Sequence, residues 1–122
     1  MERQGTSKVS KVENKDQWVS FLNTSNSDNR LVVAHFGASW CIPSVAMNSF
    51  FEEMATTHPD VLFLNIDVDD VKEVASEMEV KAMPTFILIK DSKPVDKLVG
   101  ANPEEINKRI DGFLQSTGVD MA

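Results

Sequence analysis

The chemistry in this chain converges on Trp40-Cys41-Ile42-Pro43-Ser44, which holds its only cysteine. A thiolate is the nucleophile and the leaving group of disulfide exchange. Two cysteines separated by two residues can close and reopen a disulfide; here the second place is taken by Ser44. A serine hydroxyl is not ionised at neutral pH and forms no disulfide. Cys41 can therefore begin an exchange but has no internal partner to end it. The competing reading of a lone cysteine is a small buried hydrophobe, and the surroundings of Cys41 decide between the two.

Those surroundings favour a reactive thiol. Residues 31–36 form a nearly continuous apolar run, the pattern of a strand buried on both faces. After Cys41, the stripe Met47, Phe50, Phe51 and Met54 predicts a helix with a core-facing side. Pro43 falls in its first turn, where proline is well tolerated. A helix start presents unpaired N–H groups and partial positive charge, which stabilise a thiolate. The end of a strand in an α/β sheet is also where such proteins place their sites.

The remaining elements read as a scaffold for that junction. Residues 7–12 suggest a short strand. Asn14 and Gln17 form a capping box ahead of Trp18, Phe21 and Leu22, and the polar run 23–30 reads as a loop. His58-Pro59 closes the second helix, with His58 at the surface. Residues 61–66 form a strand, and the acids of 67–70 open a helix with Val71, Val74, Ala75 and Met78 inward. Met83-Pro84-Thr85 leads into a strand over 86–89, a turn over 91–94 and a strand over 95–99 ended by Gly100. Asn102-Pro103-Glu104-Glu105 starts the last helix, whose buried stripe is Ile106, Ile110, Phe113 and Leu114. The order β-α-β-α-β-α-β-β-α predicts an α/β fold, with a mixed sheet and helices on both faces. The whole chain, 1–122, reads as one domain with frayed ends at about 1–6 and 117–122.

Composition narrows the function. Nineteen acids against twelve bases give a net charge of −7, which disfavours nucleic acid or an anionic membrane as partner. No apolar run approaches the ~20 residues of a membrane span. The polar start carries no secretory signal, and a single cysteine suits a reducing compartment, so a cytoplasmic location is expected. The sequon Asn23-Thr24-Ser25 is then incidental. The acids around 67–79 lack the spacing and glycine of a calcium loop, so no metal site is expected.

The segment Phe-Gly-Ala-Ser-Trp-Cys-Ile-Pro-Ser resembles the F-x-A-x-W-C-x-P-C signature of thioredoxins. Val80 to Phe86 resembles the family's V-x-x-x-P-T-F block, and Asp96 to Ala101 its glycine-containing stretch beside the binding groove. The chain resembles plant h-type thioredoxins and, among them, the single-cysteine CXXS proteins. The resemblance implies a thioredoxin fold with a mixed five-stranded sheet flanked by four helices. It implies Cys41 as nucleophile and a cis Pro84 facing it. The backbone of Met83 would pair with an extended substrate segment, with Trp40, Ile42, Pro43 and Gly100 along the groove.

Two departures stand out. Ser44 replaces the resolving cysteine, and its hydroxyl is free to cap a backbone group or to donate to Cys41. His35 stands where most thioredoxins bury an aspartate that assists that cysteine. Its two readings are a core imidazole with one satisfied hydrogen bond, or a base or charge partner for Cys41. The resemblance implies no resident cofactor, and protein thiols and disulfides as partners, with glutathione as an external resolving thiol. An odd thiol also invites a Cys41-linked dimer in oxidising conditions. The expected activity is thiol-disulfide exchange with disulfide isomerisation and little dithiol reduction. The alternatives are a non-catalytic client-binding module and a glutathione-dependent monothiol oxidoreductase, although the Gly-Gly and basic residues of a glutathione site are not evident near Gly100.

Overall fold

The apolar run ahead of Cys41 becomes β2 (Val32–Gly37), and all six of its residues are buried. A strand so covered must lie inside a sheet with helices on both sides. The computed structural model, which describes residues 8–118, shows this arrangement. β2 lies third in a five-stranded sheet ordered β1-β3-β2-β4-β5. β1 (Val9–Val12) and β2 both run parallel to β3 (Leu62–Asp67). β4 (Thr85–Lys90) is antiparallel to β2, and β5 (Lys93–Val99) is antiparallel to β4. The fold is the thioredoxin fold, a mixed five-stranded sheet with four helices. The sequence expectations for the frayed ends fall largely outside the described residues.

Alternation along the strands sorts the core into two layers. Val32, Ala34 and Phe36 of β2, with Ile87 and Ile89 of β4, pack against Trp18 of α1 (Lys15–Ser27) and Val74 of α3 (Lys72–Glu77). Val33, Phe63, Phe86 and Leu88 face the other way. They meet Met47, Phe51 and Met54 of α2 (Ile42–Thr57) and Ile106 and Ile110 of α4 (Pro103–Gly118). His35 shares this second side: its ring stacks on Phe86 at 4.5 Å and meets Phe51 edge-on at 5.4 Å.

Four local expectations are corrected. The polar run 23–30 is helical as far as Ser27. Ser25 is buried and donates to the Leu22 carbonyl at 2.9 Å, so packing overrides the turn preference of these residues. The acids of 67–70 do not open a helix; they form the turn before α3, with the Asp69 N–H donating to Asp67 Oδ1 at 2.8 Å. Phe50 is exposed, because the α2 stripe narrows to Met47, Phe51 and Met54. The hairpin turn is two residues, Asp91 and Ser92, both at positive φ (55° and 65°), the geometry that matches strand twist. β5 therefore resumes at Lys93, and Pro94 is accommodated on this edge strand beside a register shift.

Candidate active site

β2 delivers the chain to a tight connection through Ala38, Ser39 and Trp40. The Cys41 N–H donates to the Ala38 carbonyl at 3.1 Å. Cys41 is extended (φ −98°, ψ 106°) and is the N-cap of α2, with no side-chain capping bond. Its carbonyl accepts the first helical bond from Val45 N–H at 3.0 Å. Pro43 suits the first turn, since it has no N–H to leave unpaired there. The cysteine is thus held, half-buried, at the positive end of a sixteen-residue helix.

Two distant segments meet it. The Cys41 Sγ lies 3.7 Å from the carbonyl oxygen of Met83. The Met83–Pro84 peptide bond is cis, and Pro84 is buried. Gly100 donates its N–H to the Pro84 carbonyl at 2.9 Å. Its φ of +116° is one that side chains rarely adopt, which accounts for glycine at that place. Trp40 and Ile42 flank the sulfur at 63% and 80% exposure, an unusual display for large apolar residues and a surface suited to an apolar partner. Trp40, Cys41, Ile42, Pro43, Met83, Pro84 and Gly100 thus lie on three chain segments linked through Cys41–Met83 and Pro84–Gly100.

Ser44 departs from both of its sequence expectations, whereas His35 takes the expected place in the core but lacks the expected hydrogen bond. Ser44 is buried, and its hydroxyl neither caps the helix nor donates to Cys41; it has no hydrogen-bond partner among the described residues. The reason is orientation: Ser44 turns inward, toward β2. His35 is fully buried, yet neither ring nitrogen has a hydrogen-bond partner among the described residues. The expected single hydrogen bond is absent because its strand neighbours and the Phe51 and Phe86 rings surround it. No hydrogen bond joins it to Cys41. Burial pushes the imidazole down from 6.5 to about 4, so it is neutral near pH 7.

Some contributors escape sequence reading. Asp69 accepts a 2.7 Å hydrogen bond from Trp40 Nε1 and so orients the exposed indole. Its sequence signal is only one acid among many. Gly37 is buried beside Ser44 and His35, and a Cβ there would lie 3.0 Å from Ser44 Cβ. His58, expected at the surface, is half-buried: Nδ1 donates to the Met54 carbonyl at 3.0 Å and Nε2 pairs with Asp111 at 2.8 Å, linking α2 to α4. Among the described residues, no three His, Cys, Asp or Glu side chains are grouped to hold a metal ion, and no helix is long and apolar enough to cross a membrane.

Comparison with known proteins agrees with this geometry. Residues 9–112 match the Thioredoxin family model, and the chain belongs to the thioredoxin family. Within it, the chain is 57% identical over 112 residues to "Thioredoxin-like protein CXXS1" of Arabidopsis thaliana, covering 92% of this chain and 95% of the relative. It is 56% identical to the protein of the same name from Oryza sativa subsp. japonica, covering 94% and 86%. A solved structure of a poplar wild-type thioredoxin h superposes with a TM-score of 0.85 at 36% identity, over 88% of this chain and 96% of that one. The chain is thus a thioredoxin-fold protein with a single cysteine, related to the plant CXXS1 and H-type proteins.

Proposed function

We propose that this protein is a monothiol exchange catalyst that isomerises protein disulfides and has little dithiol reductase activity. The observation that carries this reading is the half-buried Cys41 sulfur 3.7 Å from the Met83 backbone, with Ser44, not a second thiol, one turn along α2. A substrate segment pairing with Met83 would bring its disulfide to Cys41. The Cys41 thiolate attacks one substrate sulfur, a mixed disulfide forms and the other substrate sulfur leaves as a thiolate. A substrate thiolate then attacks the substrate sulfur of the adduct and expels Cys41. The substrate keeps its number of disulfides but changes their pairing, with no net electron transfer. Without a suitable substrate thiol, glutathione displaces Cys41 and leaves the substrate glutathionylated.

In this reading Cys41 is the nucleophile. Pro84 and Gly100 shape the groove, Trp40 and Ile42 contact the client, and the partners are proteins bearing thiols or disulfides. A reducing compartment such as the cytoplasm suits a thiol that must stay free. The test is Cys41→Ala with and without glutathione. Isomerisation is expected to vanish in the variant while client binding persists. In the wild-type protein, glutathione is expected to add to the rate without being required. An absolute requirement for glutathione would favour an external-thiol oxidoreductase, and isomerisation retained by Cys41→Ala would refute the covalent mechanism.

A further inference from the structure

Residues 78–84, which join α3 to β4, carry the Met83 backbone that meets Cys41. The start of this stretch is anchored: Lys97 of β5 donates to the Glu79 carbonyl at 2.7 Å, and the Val80 N–H donates to the Ala75 carbonyl at 2.9 Å. At its end the Gly100 N–H takes the Pro84 carbonyl at 2.9 Å. Between the anchors, Lys81 and Ala82 are exposed and Met83 is half-buried. Besides Cys41, one side chain reaches in: Thr85 Oγ1 donates to the Ala82 carbonyl at 2.6 Å. Thr85 is the exception on its strand. It is fully buried and shares a face of β4 with Ile87 and Ile89, which pack in the α1–α3 layer. A hydroxyl there is costly unless it is bonded, and a valine would avoid the cost. Its bond spans Met83 and Pro84 and draws the Ala82 carbonyl toward the buried side of β4. Of the three carbonyls of 82–84, Ala82's therefore goes to Thr85 and Pro84's to Gly100. Met83's alone faces the groove, 3.7 Å from the Cys41 sulfur. A Cys41 thiolate no longer donates, so this oxygen is then open to a partner's N–H.

We propose that Thr85 is a positioning residue that fixes the register of an extended client segment. By withdrawing the Ala82 carbonyl, it leaves Met83 as the single backbone acceptor at the groove. This role rests on a client pairing with Met83, as proposed above. Register matters because a slip of one residue moves a strand by about 3.3 Å and turns its side chains to the opposite face. A client cysteine so displaced points away from Cys41. Once released, the Ala82 carbonyl offers a second acceptor and with it an unproductive register.

The test is single-turnover exchange with an extended peptide whose one cysteine carries thionitrobenzoate in a mixed disulfide. The Cys41 thiolate attacks the peptide sulfur, a Cys41–peptide disulfide forms, and the coloured thionitrobenzoate thiolate leaves. In Thr85→Val, unproductive binding competes with productive binding. The limiting rate and the half-saturating peptide concentration are therefore expected to fall together, several-fold. Thr85→Ser keeps the hydroxyl and is expected to restore both, whereas a merely loosened fold raises the half-saturating concentration. A second measurement needs only the wild-type chain. N-methylation of the peptide backbone, one residue at a time, is expected to weaken binding several-fold at a single position, the scale of one hydrogen bond. Equal parameters in wild type and Thr85→Val, a raised half-saturating concentration in Thr85→Val, or sensitivity to N-methylation at adjacent positions in the wild-type chain would each overturn the proposal. A wild-type rate that never saturates with peptide would remove docking on Met83 and the register role with it. The isomerase reading is judged separately, by ribonuclease refolding, so the two fail by different measurements.

Discussion

The Cys41 sulfur stands 3.7 Å from the Met83 carbonyl oxygen, so the reactive atom and the backbone before the cis Pro84 share one edge of the groove. The sulfur and this backbone are thus joined although 42 residues separate them in the chain. Under the proposed mechanism, such a groove needs only a second thiol to complete a dithiol cycle.

That thiol is supplied by Ser44→Cys. The substitution also replaces a buried hydroxyl that has no hydrogen-bond partner among the described residues with a less polar group. An internal disulfide with Cys41 is expected, and insulin reduction by dithiothreitol should rise at least roughly tenfold, because an intramolecular step replaces a bimolecular one. Adding His35→Asp is expected to raise activity further and non-additively, since both changes serve one step. Formation of the disulfide without reductase activity would point to a groove built for binding.

The buried His35 makes stability depend on pH with a definite sign. Its folded-state pKa is lowered from 6.5 to about 4 by burial, so the unfolded chain takes up this proton first. Stability from this group is complete above about pH 6.5, falls as pH drops through about 4 and then levels. The loss is on the order of 3 kcal/mol, from 1.36 kcal/mol per pKa unit. Urea unfolding between pH 7.5 and about pH 4 is expected to show a slope in the wild-type chain that is shallower in His35→Leu. Equal slopes would show that His35 does not titrate as a buried neutral group.

Asp69 holds the Trp40 indole through a 2.7 Å hydrogen bond. Asp69→Ala is expected to release the ring, shift its fluorescence and slow exchange with protein disulfides several-fold, the scale of one typical hydrogen bond at about 0.5–1.5 kcal/mol. Alkylation of Cys41 by iodoacetamide, which needs no client surface, should be nearly unchanged. A parallel fall in both rates would assign Asp69 to the sulfur rather than to the groove.

Much of this was legible from local pattern. The buried run of β2, the α2 stripe and the Asn102-Pro103 helix start are short-range signals, and they place Cys41 at a strand–helix junction. Spacing of Val80–Phe86 and Asp96–Ala101 against a known family brought Pro84 and Gly100 into the site. What failed to show in sequence was tertiary. Residues 23–27 favour turns in isolation, yet the buried Ser25 keeps them helical. The Trp40–Asp69 bond joins residues 29 apart, and nothing marks Asp69 among the neighbouring acids. The unpartnered state of His35 and Ser44 depends on the small volume of Gly37 and on the orientation of α2, neither of which has a periodic signature.

The most direct test of monothiol isomerisation compares scrambled ribonuclease refolding with insulin reduction under one set of conditions. The wild-type chain is expected to accelerate refolding while insulin reduction stays near background, and Cys41→Ala should be inactive in both. Rapid insulin reduction by the wild-type chain, or refolding no faster than with Cys41→Ala, would contradict monothiol isomerisation through Cys41.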